Sequence, residues 1–143
     1  MSLATDSIFV SAISSNSELM QGIGGRLYST AIPLADKDID NVPVPFVIVT
    51  FDGLTNDQSS KDDPYESDND SVNISVELVA ATREKLADLA EDIRSTIYNY
   101  MMAQDGFEIE DYQFSADAVQ FDALKPCYWQ TLHYQCDVIN DIL

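Results

Sequence analysis

The hydrophobic pattern changes period at Ala80–Thr82, and that change constrains the fold more than any other feature. Before it, Val72, Ile74, Val76, Leu78 and Ala80 alternate with Asn73, Ser75 and Glu77. A period of two turns one face of a strand toward a core. After it, Leu86, Leu89, Ile93, Ile97, Tyr100 and Met101 follow helical spacing, with Asp88, Glu91, Asp92 and Asn99 on the other side. Thr82 stands at the N-cap, and Gln104 to Gly106 stops the helix after about Ala103. At ~1.5 Å per residue such a helix is ~30 Å long, enough to cover one face of a small sheet.

The flanking segments supply the rest of that sheet. Leu3 to Ser14 reads as a short helix, with Ile8/Ala12 and Phe9/Ile13 making an apolar stripe and Ser2 or Thr5 as N-cap. A further helical turn starts near Ser17. Arg26 to Ile32 reads as extended, and Pro33 stops it. Phe46 to Phe51 (FVIVTF) is apolar at nearly every position and reads as a central strand covered on both faces. Three more extended segments follow, around Tyr112 and Phe114, around Val119 and Phe121, and from Tyr128 to Ile139. In the last, Leu132, Tyr134, Cys136 and Val138 share one face, and Thr131, His133, Gln135 and Asp137 the other. Together these predict a single α+β domain over residues 1–143. It has a mostly antiparallel sheet, one long helix packed on a face, and a short N-terminal helix.

Charge excludes whole classes of partner. Among 143 residues, 25 acids face 7 Lys and Arg, for a net charge of −18. Counterion-release binding of nucleic acid needs a basic surface, and anionic lipid repels such a chain. No apolar run approaches the ~18 residues needed to span a bilayer. The N-terminus has no basic leader and carries Asp6. The acids concentrate at 52–71, where Asp52, Asp57, Asp62, Asp63, Glu66, Asp68 and Asp70 stand against Lys61. This stretch reads as a mobile loop at the tip of a hairpin. Its carboxylates have no fixed ligand spacing and lack the Gly and distal Glu of a calcium loop. The expectation is a solvated loop, ordered on contact with a partner through Pro64 and Tyr65.

The residues that could carry catalysis or bind a cofactor do not converge. Gly22, Gly24 and Gly25 follow a helix and precede a strand, the reverse of a phosphate cradle, so they read as helix-end punctuation. Cys127 and Cys136 on one strand would be ~30 Å apart, too far for a disulfide, and are read as reduced core thiols. His133 is the only histidine. It lies on the polar face, ~13 Å from Asp137 on the same strand and opposite to Cys136. The sequence therefore indicates no enzyme, metal or cofactor. Arg26 either pairs with an acid across a subunit boundary or is a surface strand residue. Tyr128 and Trp129 are either core or interface.

The order of the pieces carries a resemblance. Gly25-Arg26-Leu27-Tyr28, Ile32-Pro33, Pro45-Phe46-Val47-Ile48-Val49, then Val72 to Ala80 and Thr82 to Met102, resemble the tail terminator, or tail-completion, family of long-tailed bacteriophages. The resemblance covers roughly residues 1–103; the long acidic loop and the Phe107–Phe121 region depart from it. It implies a structural subunit that forms a ring, usually a hexamer. The ring would cap the tail tube, present a surface to the head–tail connector and let the genome pass. Its localisation would be the virion, and the bacterial cytoplasm during assembly. An acidic subunit suits a channel through which DNA must slide. Arg26, Asp62, Asp63, Tyr65 and Glu66 are the expected interface residues. The alternative is an acidic decoy imitating DNA, or another non-catalytic protein-binding module. A decoy needs carboxylates spaced along an extended face, whereas these sit in one loop and one helix face.

Overall fold

The computed structural model describes residues 5–30, 43–56, 69–103 and 109–139. The elements run α1 (Thr5–Ser14), α2 (Ser17–Gly22), β1 (Leu27–Ser29), β2 (Phe46–Asn56), β3 (Asn69–Ala80), α3 (Arg83–Ala103), β4 (Ile109–Ala116), β5 (Gln120–Asp122) and β6 (Cys127–Ile139). They form a six-stranded sheet of order β1-β2-β3-β6-β4, with β5 pairing to β6 beyond β4. β1 runs parallel to β2, and every other pair is antiparallel. The expected α+β architecture is present.

One face of the sheet holds the core. Val47 and Val49 of β2, the alternating Val72 to Ala80 set of β3, and Leu132, Tyr134, Cys136 and Val138 of β6 meet α1 and α3 there. From α3 come Leu86, Leu89, Ile93 and Ile97, and from α1 Phe9, Ala12 and Ile13. The period change at Ala80–Thr82 thus builds both layers, with Thr82 Oγ1 accepting from the Lys85 amide at 3.1 Å. Tyr134 sits at the aromatic centre, with its ring centroid 5.0 Å from that of Phe9, 5.1 Å from Phe114 and 5.6 Å from Tyr112.

The glycines end α2, as their position predicts. The Gly25 amide reaches back to the Met20 carbonyl at 2.9 Å, and Gly24 and Gly25 have φ of 61° and 73°. That is the left-handed close of a helix. A Cβ at Gly24 would stand 2.4 Å from Arg26 Nη1. At the other end of α2, Asn16 Oδ1 accepts from the Leu19 amide at 3.2 Å, and its Nδ2 donates to Thr96 Oγ1 of α3 at 2.9 Å. Asn16→Ala removes a cap and an inter-helix bond together. It is expected to lower stability by about 1–2 kcal/mol, read as a urea midpoint shift without a change in slope.

Three features differ from expectation. β1 is shorter than Arg26–Ile32, closing at Thr30, whose φ is 70°. β2 is not covered along both faces: its far side is packed only near Phe46 and Ile48, in a small cluster with Tyr28, Val44, Val79, Cys127 and Trp129. Trp129 therefore belongs to that lesser cluster and not to the main core. The third difference concerns the acidic stretch. Asp52 and Asp70, read as loop, lie within strands, because β2 runs on to Asn56 and β3 begins at Asn69. A bulge between Phe51 and Gly53 shifts the register. Gly53 takes it up at φ 144°. The shift returns Leu54 to the core side. Asp70 is only 4% exposed and accepts from Asn56 Nδ2 at 2.6 Å, so it is a paired strand carboxylate and not a solvated one. Residues 31–42 and 57–68 lie outside the described residues.

Candidate functional site

The helices cover one face of the sheet, and the other carries a row of polar side chains. The ladder sets Ser75 of β3 and Ser115 of β4 on either side of His133 of β6. Ser75 Oγ donates to an Asp52 carboxylate oxygen. Gln135 Nε2 donates to Ser71 Oγ at 2.9 Å. A shallow groove of about 250 Å³ runs along the row, lined by Asp52, Asn73, Gln113, Ser115, His133 and Gln135.

His133 does have an acid partner, though not Asp137. Its Nε2 lies 2.9 Å from Asp117 Oδ2. Asp117 is held in place by its own amide, which donates to the Thr131 carbonyl at 2.9 Å, and by Gln130, which donates to its carbonyl at 2.9 Å. The sequence distance between Asp117 and His133 hides this pair; only the β4–β6 pairing reveals it. The pair is open to water, with side chains 42% and 60% exposed. Nucleophilic catalysis would need a hydroxyl bonded to the imidazole in an enclosed cleft. Ser75 instead gives its proton to Asp52.

At one end this face turns apolar, where Phe46, Val79 and Cys127 are buried beside Tyr28, Ile48 and Trp129. Burial there, with Asp122 adding and Lys125 opposing, pushes the Cys127 thiol above its ordinary pKa. Burial likewise raises Glu77, whose ladder neighbours are Ile48 and Thr131. Both cysteines are free and buried, as expected of core thiols.

Grooves also lie on the helical side. One of about 500 Å³ lies between α2 and α3, with Leu19, Ile23, Pro45 and Leu89 inside and Glu18, Asp88 and Asp92 among its lining. The other, of about 300 Å³, separates α3 from the β4–β6 pair and is lined by Arg83, Ala87, Ala90, Arg94, Ala116 and Val119, among others. There Arg94 stacks over the Phe114 ring, 4.3 Å from its centroid.

Of the residues expected at an interface, Arg26 is half-buried at the β1–β2 end, where its Nε donates to the Pro45 carbonyl at 3.1 Å. That bond joins the Gly-Arg-Leu-Tyr segment to the entry of β2. Asp62, Asp63, Tyr65 and Glu66 lie outside the described residues. Among the described residues no three His, Cys, Asp or Glu side chains are grouped to hold a metal ion. No described helix is long and apolar enough to cross a membrane.

No family model matches the chain, and no curated protein matches it. Solved structures do. The bacteriophage SPP1 gp17 protein is 19% identical, with 99% of this chain and 94% of that one covered and a TM-score of 0.47. A chain of the virion of a native gene transfer agent particle is 9% identical, with a TM-score of 0.55 over 94% of this chain and 93% of that one. Over nearly the full length of both, this chain shares its fold with that virion chain.

Proposed function

We propose that the chain is a structural component of a phage-type virion and acts as a tail terminator. Copies of it form a ring, a hexamer by the family's habit, that caps the tail tube and offers a surface to the head–tail connector. The observation that carries this reading is the fold held in common with a virion chain over nearly the full length of both. The residue order from Gly25-Arg26-Leu27-Tyr28 to the α3 helix supports the finer assignment. A non-catalytic role agrees with an open polar sheet face whose one histidine–carboxylate pair is solvated. A net charge of −18 suits a ring lumen that DNA must traverse without sticking. Arg26, Asp62, Asp63, Tyr65 and Glu66 are proposed contacts with neighbouring subunits or with the connector.

The test is assembly on the cognate tube. Purified chain mixed with polymerised tail tube protein is expected to co-sediment and to appear by electron microscopy as a ring at one tube end. Free chain that stays in the supernatant, with tube ends bare, would overturn the proposal.

A further inference from the structure

In a chain of net charge −18, the second half of α3 stands apart. From Arg94 to Ala103 it holds no acid, and its one charged residue is Arg94. Tyr98 and Met102 follow Arg94 at intervals of four, so the three share one side of the helix. Tyr98 is half exposed and Met102 is 70% exposed. Among the described residues, the other exposed large apolar side chains are Phe121 and Leu124, in the β5–β6 hairpin. The turn of that hairpin is fixed, because Asp122 Oδ1 accepts from the Leu124 amide at 3.0 Å and the Lys125 amide at 3.4 Å. The Phe121 ring is braced on Tyr128, with centroids 4.9 Å apart. Leu124 stands in the turn 99% exposed. An apolar cluster held out in water marks a contact site, and a preformed turn loses little freedom on docking.

We infer that the Phe121–Leu124 hairpin of one copy docks on the Arg94–Tyr98–Met102 side of α3 in a second copy. The inference rests on the self-assembly reading given above and names an interface for it. Charge selects the occupant. The hairpin brings Asp117 and Asp122 against Lys125, and the acid-free half of α3 offers Arg94, so an approaching copy meets a cation where most of the surface repels it. Arg94 makes no ion pair with a described residue. The apolar groups also match, since a flexible Met102 adapts to the hairpin's shape and its sulfur suits the edge of the Phe121 ring. Within one chain the two patches leave each other uncovered, as their exposures show. α3 starts three residues after Ala80, the ladder partner of Tyr128, and by Arg94 it has reached Phe114, the partner of Tyr134. It therefore runs away from the hairpin turn, carrying Tyr98 and Met102 toward the opposite end of β6. A contact that joins unlike patches at two ends is head-to-tail, and such contacts close into a ring when the rotation between copies allows.

The test mixes full chain carrying Leu124→Cys with full chain carrying Met102→Cys and adds a short thiol-reactive cross-linker, both in free solution and on cognate tail tubes. The native thiols are buried, and the parent chain gives the background. The mixture is expected to yield cross-linked dimer, and neither variant alone. By sedimentation, Leu124→Asp is expected to weaken self-association at least about tenfold, while Leu124→Met retains it. Circular dichroism melts check that the variants fold, since both positions are exposed. A mixture that stays unlinked in solution and on tubes overturns the inference. So does either variant linking to itself, which would make the contact two-fold, or Leu124→Cys linking to the tube protein in place of a second copy. Tubes capped by chains whose mixed cysteines stay unlinked would sink this interface alone. Mixed linking by a chain that leaves tube ends bare would keep the interface and sink the virion reading.

Discussion

Tyr134→Ala should cost about 3–5 kcal/mol of folding stability, the scale of an emptied aromatic site in a packed core. Tyr134 is 1% exposed, and its ring touches α1, β4 and the centre of β6 at once. The surrounding core closes such a cavity only in part, so most of the cost remains. Tyr134→Phe should act in the opposite sense. The Tyr134 hydroxyl is buried without a hydrogen-bond partner among the described residues, and an unsatisfied buried hydroxyl carries a desolvation penalty of about 1–3 kcal/mol. Removing it keeps the ring contacts and is expected to raise the urea midpoint. Denaturation followed by circular dichroism checks both. A Tyr134→Phe variant less stable than the parent would show that the hydroxyl is satisfied in solution.

The sequence marks this core readily because its residues obey two strict periods. Alternation identifies Tyr134, Cys136 and Val138 as inward-facing, and the helical stripe identifies Leu86 to Ile97. The bulge at Gly53 is where pattern reading stops. Asp52-Gly53 opens the acidic stretch and reads with it as loop, yet the strand continues with one residue displaced. Asp70 fails for a related reason: polarity marks a residue as exposed unless its partner is known, and Asn56 is supplied only by the hairpin register. The candidate surfaces divide in the same way. Arg26 is visible as a rare cation in a motif. The His133–Asp117 pair and the Arg83–Arg94 groove need strand order and helix placement, which no local window contains.

A second large effect should appear in alkali. Burial and the nearby Asp137 push the Cys136 thiol up to about 12, against 9.0 ordinarily. Burial, with Tyr112 and Cys136 adding and Arg94 opposing, also raises Tyr134 above its usual 10.0. In each case the folded state holds a proton that the unfolded chain releases at lower pH. The stability these groups contribute is therefore full below about pH 9 and declines as pH climbs toward 12. For Cys136 alone the slope approaches 1.4 kcal/mol per pH unit, about 4 kcal/mol across the window. That loss is a large fraction of a typical domain's stability of about 5–15 kcal/mol, so the urea midpoint is expected to fall steeply in alkali while remaining steady from pH 7 to 8.5. Cys136→Ala separates this titration from general charge repulsion. The variant starts less stable because of the lost side chain, yet its stability should fall less steeply between pH 9 and pH 11. Tyr134→Phe should flatten the profile at the upper end of the same window. Urea melts at each pH give the slopes directly. Parallel curves for parent and Cys136→Ala would mean that the thiol titrates at its ordinary pH, and hence that water reaches the centre of β6.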